Sequence, residues 1–251
     1  MALLELRHIT KSFDGLKALD DLSLAFEQGR ITSLVGPNGA GKTTLFNVIS
    51  GLLLPEHGEI FYHGTPLNGF TPWQRAQRGI GRLWQDVRVF EKLTTLDNVL
   101  LAKKRNLGEG ILSNFFLVPA VNKFERHNRE QAHHWLAFVG LSGKERTLAG
   151  DLSYGQQKLL AVARLLANDA QLLLLDEPTS GIHPHLVDTI LEVIRKIVKE
   201  GRTVIVIEHN FSIVFEISDW ICLMDKGRIE LAGIPDQVAR APLLREVYLG
   251  I

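Results

Sequence analysis

The chain has almost no sulfur and no surplus of either charge. A single cysteine, Cys222, stands among 251 residues, which excludes a disulfide framework and fits a reducing compartment. Lys plus Arg and Asp plus Glu are matched at 28 each, so no global field marks nucleic acid as the partner. No stretch approaches the roughly 18 to 20 apolar residues that cross a bilayer. The greasiest segment, Ile111 to Val121, is broken by Ser113, Asn114 and Pro119 and reads either as core or as a docking surface. The amino terminus, Met1-Ala2-Leu3-Leu4-Glu5-Leu6-Arg7, puts charges where a signal peptide needs its apolar stretch. Internal repeats and low-complexity linkers are missing too. Core material is plentiful. Hydrophobic residues make up 45% of the chain, enough for one large α/β domain or two small ones and too much for extended disorder. A membrane role therefore requires a partner that spans the membrane.

Alternation at Leu4 and Leu6 and at Leu22, Leu24 and Phe26 predicts two early strands joined by a turn at Asp14-Gly15. Ile31 to Val35 predicts a short buried strand, followed by a glycine-rich loop and a helix beginning near Lys42. Glu59 to His63 predicts a strand after turn residues Pro55-Glu56-His57-Gly58. From about Gln85 to Gly150 the pattern is helical and more polar, with Leu93, Leu96, Val99 and Leu100 on one face. That face is either core or a groove for a partner helix. Gln171 to Leu175 predicts a buried strand, and His183 to Lys199 a helix with Pro184 in its first turn. Thr203 to Ile207 is another buried strand, and Asp225-Lys226-Gly227-Arg228 turns a hairpin. The expected architecture is α/β, with 1–84 and 151–251 forming a β subdomain plus core and 85–150 a helical subdomain.

Gly36-Pro37-Asn38-Gly39-Ala40-Gly41-Lys42-Thr43 matches the phosphate-loop pattern G-x-x-x-x-G-K-[ST], between a strand and a helix. Its glycines let consecutive backbone N–H groups face an anion, and the helix N-terminus adds partial positive charge. Lys42 reaches the β- and γ-phosphates and the Thr43 hydroxyl ligates Mg²⁺. By itself the loop equally fits a small-molecule kinase or a GTPase. Leu172 to Leu175 run into Asp176-Glu177. A buried strand ending so puts Asp176 on the Mg²⁺ side and leaves Glu177 to act as general base on a water.

Upstream stands Leu152-Ser153-Tyr154-Gly155-Gln156-Gln157. Alone, Ser153 reads as an ordinary helix N-cap. Taken with the phosphate loop and Asp176-Glu177, the string resembles the signature of ABC ATPases, L-S-G-G-Q, with Tyr154 as the one departure. The order of the remaining parts agrees. Gln85, in Leu83-Trp84-Gln85-Asp86, stands where the family has a glutamine that senses the γ-phosphate and Mg²⁺. His209, in Ile207-Glu208-His209-Asn210, stands where it has its switch histidine. Phe13 stands where an aromatic ring stacks on adenine, although a Phe beside a turn is also an ordinary core residue.

The resemblance covers essentially the whole chain and implies a P-loop NTPase core with an antiparallel β subdomain and a helical subdomain. It assigns ATP to Phe13, Gly36, Asn38, Gly39, Ala40, Gly41, Lys42, Thr43 and Thr44, and on the opposite subunit's nucleotide to Ser153, Gly155 and Gln156. It assigns Mg²⁺ to Thr43, Gln85 and Asp176, and catalysis to Glu177, His209, Lys42 and Gln85. Implied partners are integral-membrane permease subunits and a second ATPase, the same chain or a paralogue, at the cytoplasmic face of the membrane. Trp84-Gln85-Asp86-Val87-Arg88-Val89-Phe90, the Leu-Ser-Tyr-Gly-Gln signature, the long helical insert and Val247-Tyr248-Leu249-Gly250 look closest to ATPase subunits of branched-chain amino acid importers. Lipopolysaccharide exporters use a similar ATPase, and soluble ABC proteins of translation or repair are a further class. A departure follows Glu177-Pro178-Thr179: Ser180-Gly181-Ile182-His183 places an imidazole where the family's D-loop usually carries an aspartate. His183 and His185 lack further metal ligands at sensible spacing.

Overall fold

The computed structural model describes residues 2–103 and 118–249. Most of the Ile111 to Val121 segment lies outside the described residues. The chain forms two compact units, one of Met1–Arg82, Gln171–Pro178 and Ile194–Ile251, the other of Leu83–Ala170 and Thr179–Val193.

In the first unit, β1 (Ala2–Phe13) and β2 (Leu16–Glu27) form a hairpin. Asp14 and Gly15 between them have φ of 47° and 84°, the two positive values a type I′ turn requires. With β4 (His57–Tyr62) and β5 (Thr65–Pro66) they make an antiparallel sheet ordered β2-β1-β4-β5. The turn expected at Pro55 to Gly58 ends sooner, because His57 and Gly58 already belong to β4. Gly58 faces an irregularity in β1 between Arg7 and Thr10, where a Cβ would stand 2.4 Å from the carbonyl oxygens of Arg7 and His8. A glycine within a strand here marks close backbone approach and not a turn.

The second sheet runs β10-β9-β3-β8-β7-β6, from β3 (Ile31–Val35), β6 (Ile80–Leu83), β7 (Leu172–Asp176), β8 (Thr203–Ile207), β9 (Trp220–Asp225) and β10 (Arg228–Gly233). Neighbours β9-β3, β3-β8 and β8-β7 are parallel, and β9-β10 is an antiparallel hairpin. Every residue of β3, β7 and β8 is buried, as continuous apolar runs in a parallel sheet must be. Leu6, Phe26, Leu34, Phe46, Leu174 and Ile205 share one core. Beside the sheets lie α1 (Lys42–Ser50) and α2 (Pro72–Gln77). The wholly buried Arg75 of α2 donates to the carbonyls of Val48 and Ile49 near the end of α1, and to those of Leu67 and Phe70. A cation there adds donors to carbonyls of the last turn of α1, which lack the amide four residues on.

The second unit is built from α3 (Thr95–Leu101), α4 (Val118–Phe138) and α5 (Tyr154–Ala167), which pack on one another. The first part of α6 (Pro184–Lys199) also belongs to it. Residues 85–93 are not helical, although the pattern suggested a helical stretch from Gln85. The helix starts only at Thr95, because Thr94 caps it by accepting from the Asp97 amide. Leu96, 8% exposed, and Val99, fully buried, belong to this unit's interior, while Leu93 and Leu100 on the same face are half-buried. Among the described residues the remaining α-helices are α7 (Phe211–Ile217), α8 (Pro235–Arg240) and α9 (Pro242–Leu249), all in the first unit.

Candidate nucleotide site

Strand β3 delivers the chain into the phosphate loop under tight backbone constraint. Gly36 has φ 153°, and a Cβ on it would lie 2.2 Å from the Met224 carbonyl oxygen. Gly41, φ 103°, caps α1, and a Cβ there would lie 2.3 Å from the Ala18 carbonyl oxygen. No side chain fits either position without moving main chain. Gly39 also has positive φ but open space around it. Lys42 is only 6% exposed, and its Nζ donates to the carbonyls of Gly36 at 2.7 Å and Pro37 at 2.9 Å. Burial pulls its pKa down, while Glu177 and Asp176 act in the opposite direction. Asn38 and Thr43 are exposed, Ala40 is buried and Thr44 is half-buried.

The acidic end of β7 lies in the same unit. Asp176 is 6% exposed, and burial raises its pKa while the Arg82 guanidinium works against that rise. Arg82 Nη2 lies 3.2 Å from Asp176 Oδ2, and its Nη1 donates to Asn47 Oδ1 at 2.7 Å and Ser50 Oγ at 3.2 Å. Nothing in the motif order singled out Arg82. The signal was an arginine inside the apolar run Ile80-Gly81-Arg82-Leu83, where a cation must have a partner. Glu177 carries φ 47°, a left-handed backbone rare for a residue with a side chain and found where a fold over-determines it. Its amide donates to the Ile207 carbonyl at 3.0 Å, tying it to the end of β8. Two residues on, His209 Nε2 lies 3.0 Å from Glu177 Oε1. Lys42, Asp176, Glu177 and His209 thus gather at carboxyl ends of parallel strands, where open α/β sheets bind ligands. Phe13 ends β1 with 44% exposure, and Lys11 Nζ is 5.4 Å from its ring centroid, so Phe13 is not a core residue.

In the second unit, Ser153 caps α5 in a reciprocal box. Its Oγ accepts from the Gln156 amide, and its own amide donates to Gln156 Oε1 at 3.1 Å. Gly155 is buried, and a Cβ there would lie 2.9 Å from Leu186 Cδ1 and 3.0 Å from Ile182 Cγ2. The Tyr154 hydroxyl donates to the Gln85 carbonyl at 2.9 Å. Burial and the nearby Asp86 raise the pKa of the phenol, which keeps it a donor. Gln85 itself is exposed. The sequence marked Tyr154 as a departure from the signature and as a mark of the subgroup; its bond to Gln85 is a tertiary fact. His183 and His185 are exposed, with ring centroids 4.3 Å apart.

Residues 19–180 match the family model described as ABC transporter. The chain belongs to the ABC transporter family. It is 37% identical over 249 residues, 99% of this chain and 98% of the relative, to the high-affinity branched-chain amino acid transport ATP-binding protein BraF of Pseudomonas aeruginosa. It is 36% identical, over 100% of the chain and 96% of the relative, to a probable branched-chain amino acid transport ATP-binding protein, LivG, of Archaeoglobus fulgidus. Among solved structures, the ADP conformation of MJ1267, an ATP-binding cassette of an ABC transporter, matches with TM-score 0.85, 32% identity and complete coverage of both chains. A dimeric bacterial ABC transporter cassette, MJ0796, matches with TM-score 0.76 and 26% identity over 92% of this chain and 98% of that one. The expected P-loop core with antiparallel β and helical parts is therefore the ABC ATPase fold, and this cassette is an ATP-binding, ATP-hydrolysing subunit. No helix among the described residues is long and apolar enough to cross a membrane.

Proposed function

We propose that this cassette energises import of branched-chain amino acids, or similar small polar solutes, through separate permease subunits, working at the cytoplasmic face as one of two ATPase subunits. The names of its full-length relatives support the solute class, and the dimeric cassette supports the second subunit. The observation that carries the chemistry is the Glu177–His209 contact of 3.0 Å in the unit that holds Lys42 and Asp176.

Phe13 offers an exposed ring to adenine. The amides from Gly36 to Thr44, with Lys42, hold the phosphates. Asp176 and the Thr43 hydroxyl are hard oxygen donors, the kind Mg²⁺ takes, and Gln85 is assigned the third contact by its place among the motifs. Bound Mg²⁺ supplies neutralisation of charge on the β- and γ-phosphates. Glu177 accepts a proton from water as the water oxygen bonds to the γ-phosphorus. The bond to the bridging oxygen then breaks, giving ADP and phosphate. His209 holds Glu177 in orientation and stabilises the charge that develops on the γ-phosphate.

Ser153, Gly155 and Gln156 act on the nucleotide of the opposite subunit. A mixed dimer tests this, with Lys42→Ala in one chain and Ser153→Asp in the other. Aspartate caps a helix as well as serine, so the substitution spares α5 while setting a negative charge against phosphate. If the sites are shared between chains, one lesion-free centre remains and hydrolysis exceeds that of both parental mutants, in steady state or in a single turnover. Activity no higher than either parent by both measures contradicts the arrangement.

A further inference from the structure

The signature helix grips the segment that carries Gln85 at several points inside one unit. Besides the Tyr154 hydroxyl on the Gln85 carbonyl, Arg164 Nη1 donates to the Arg88 carbonyl at 2.6 Å, and its guanidinium lies 5.0 Å from the Phe90 ring centroid. From α3, the fully buried Asn98 accepts from the Phe90 amide at 2.9 Å and donates to the Phe90 carbonyl at 3.0 Å. The same tyrosine reaches the loop after Pro178. A Cβ on Gly181 would lie 3.4 Å from Tyr154 Cε1. Lys158, wholly buried, donates to the Ser180 carbonyl at 2.9 Å while its Nζ lies 5.1 Å from the Tyr154 ring centroid.

We infer that Tyr154 is a positioning residue for turnover, clasping the Gln85 segment and the 180–182 loop to the signature helix so that the three move as one piece. A glycine, the residue usual at this place in the signature, has neither a hydroxyl for the Gln85 carbonyl nor a ring to lie between Lys158 and Gly181. In this chain the tyrosine therefore adds a direct tie between the sensor segment and the helix whose first turn holds Ser153 and Gly155. The phosphate loop belongs to the other unit, and the tie makes no contact within that unit. Losing it should slow the chemical cycle without weakening nucleotide binding. The inference rests on the assignment of Gln85 as the nucleotide sensor.

Tyr154→Phe in the full chain removes the hydroxyl and keeps the ring. One neutral hydrogen bond corresponds to roughly a three- to tenfold effect, expected in kcat, with KM for ATP within about twofold. Amide exchange should quicken at residues 85–90 and stay unchanged along 156–167, which a general loss of stability would not produce. Tyr154→Gly should lose at least as much turnover as Tyr154→Phe. The inference is overturned by kcat within twofold of wild type in Tyr154→Phe, by a loss residing in KM, or by exchange that quickens along all of α5. Wild-type protein that fails to hydrolyse ATP would instead refute the function proposed above, and the exchange measurement would still decide whether the clasp exists.

Discussion

Adding a methyl group at Gly36 or Gly41 of the phosphate loop would drive it to 2.2 or 2.3 Å from a carbonyl oxygen of another strand. The same addition at Gly155 of the signature meets side-chain atoms of Leu186 and Ile182, the nearest at 2.9 and 3.0 Å. One region is set by main chain against main chain and has no low-cost way to yield. The other is set by side chains, with Tyr154, Lys158 and Arg164 reaching loop carbonyls that lie far off in sequence. Side-chain ends rotate where backbone cannot. The difference matches the roles proposed above, a phosphate cradle that is preformed and a signature that engages and releases the nucleotide of the opposite subunit.

The largest expected effect concerns the rigid region. Glu177→Gln should lower turnover by roughly 10²- to 10⁴-fold, the usual loss on removing a general base, while ATP affinity is retained. Lys42→Ala should weaken binding itself. Affinity and single-turnover hydrolysis measured side by side separate the two lesions, and undiminished hydrolysis in Glu177→Gln removes that residue from its role.

Substitution of the glycines probes the comparison directly. Gly36→Ala should cost about 2–4 kcal/mol of stability, from backbone strain and a contact that cannot relax. Gly155→Ala should cost about 1 kcal/mol, because two methyl ends can give way. Urea midpoints measure both, and equal costs would erase the contrast between the regions.

A smaller effect tests how dry the sheet beneath the phosphate loop is. Cys222, paired with Leu34 on β3, has its thiol pushed up by burial from 9.0 to about 12. The unfolded chain releases this proton first, so the stability it contributes is complete below pH 9. It is lost as pH rises through about 12. Relative to pH 8, wild type should lose about 1–2 kcal/mol more than Cys222→Ala by pH 10.5. Parallel pH slopes for the two proteins would mean that water reaches β9.

Local rules made much of the molecule legible. Asp14-Gly15 and Lys226-Gly227 supply paired positive φ values that turn hairpins, a property of the dipeptides themselves. Apolar runs ending in Gly36 and in Asp176-Glu177 announce strands that deliver phosphate-binding and acidic groups, because strand, loop and helix start are contiguous. Ser153 with Gln156 announces a cap in the same way. The burial of Leu96 and the close approach at Gly58 were not visible, since each depends on a neighbour far along the chain. Arg82 meets Asp176 across 94 positions and Tyr154 meets Gln85 across 69. The sequence determined by itself which chemical groups exist and which short segments present them, because spacing within a turn or a cap is set by covalent geometry. Only the tertiary structure decided that Glu177 adopts φ 47° with His209 Nε2 at 3.0 Å, and that the Tyr154 hydroxyl meets the Gln85 carbonyl. Packing of distant elements fixes those distances, and no local propensity encodes them.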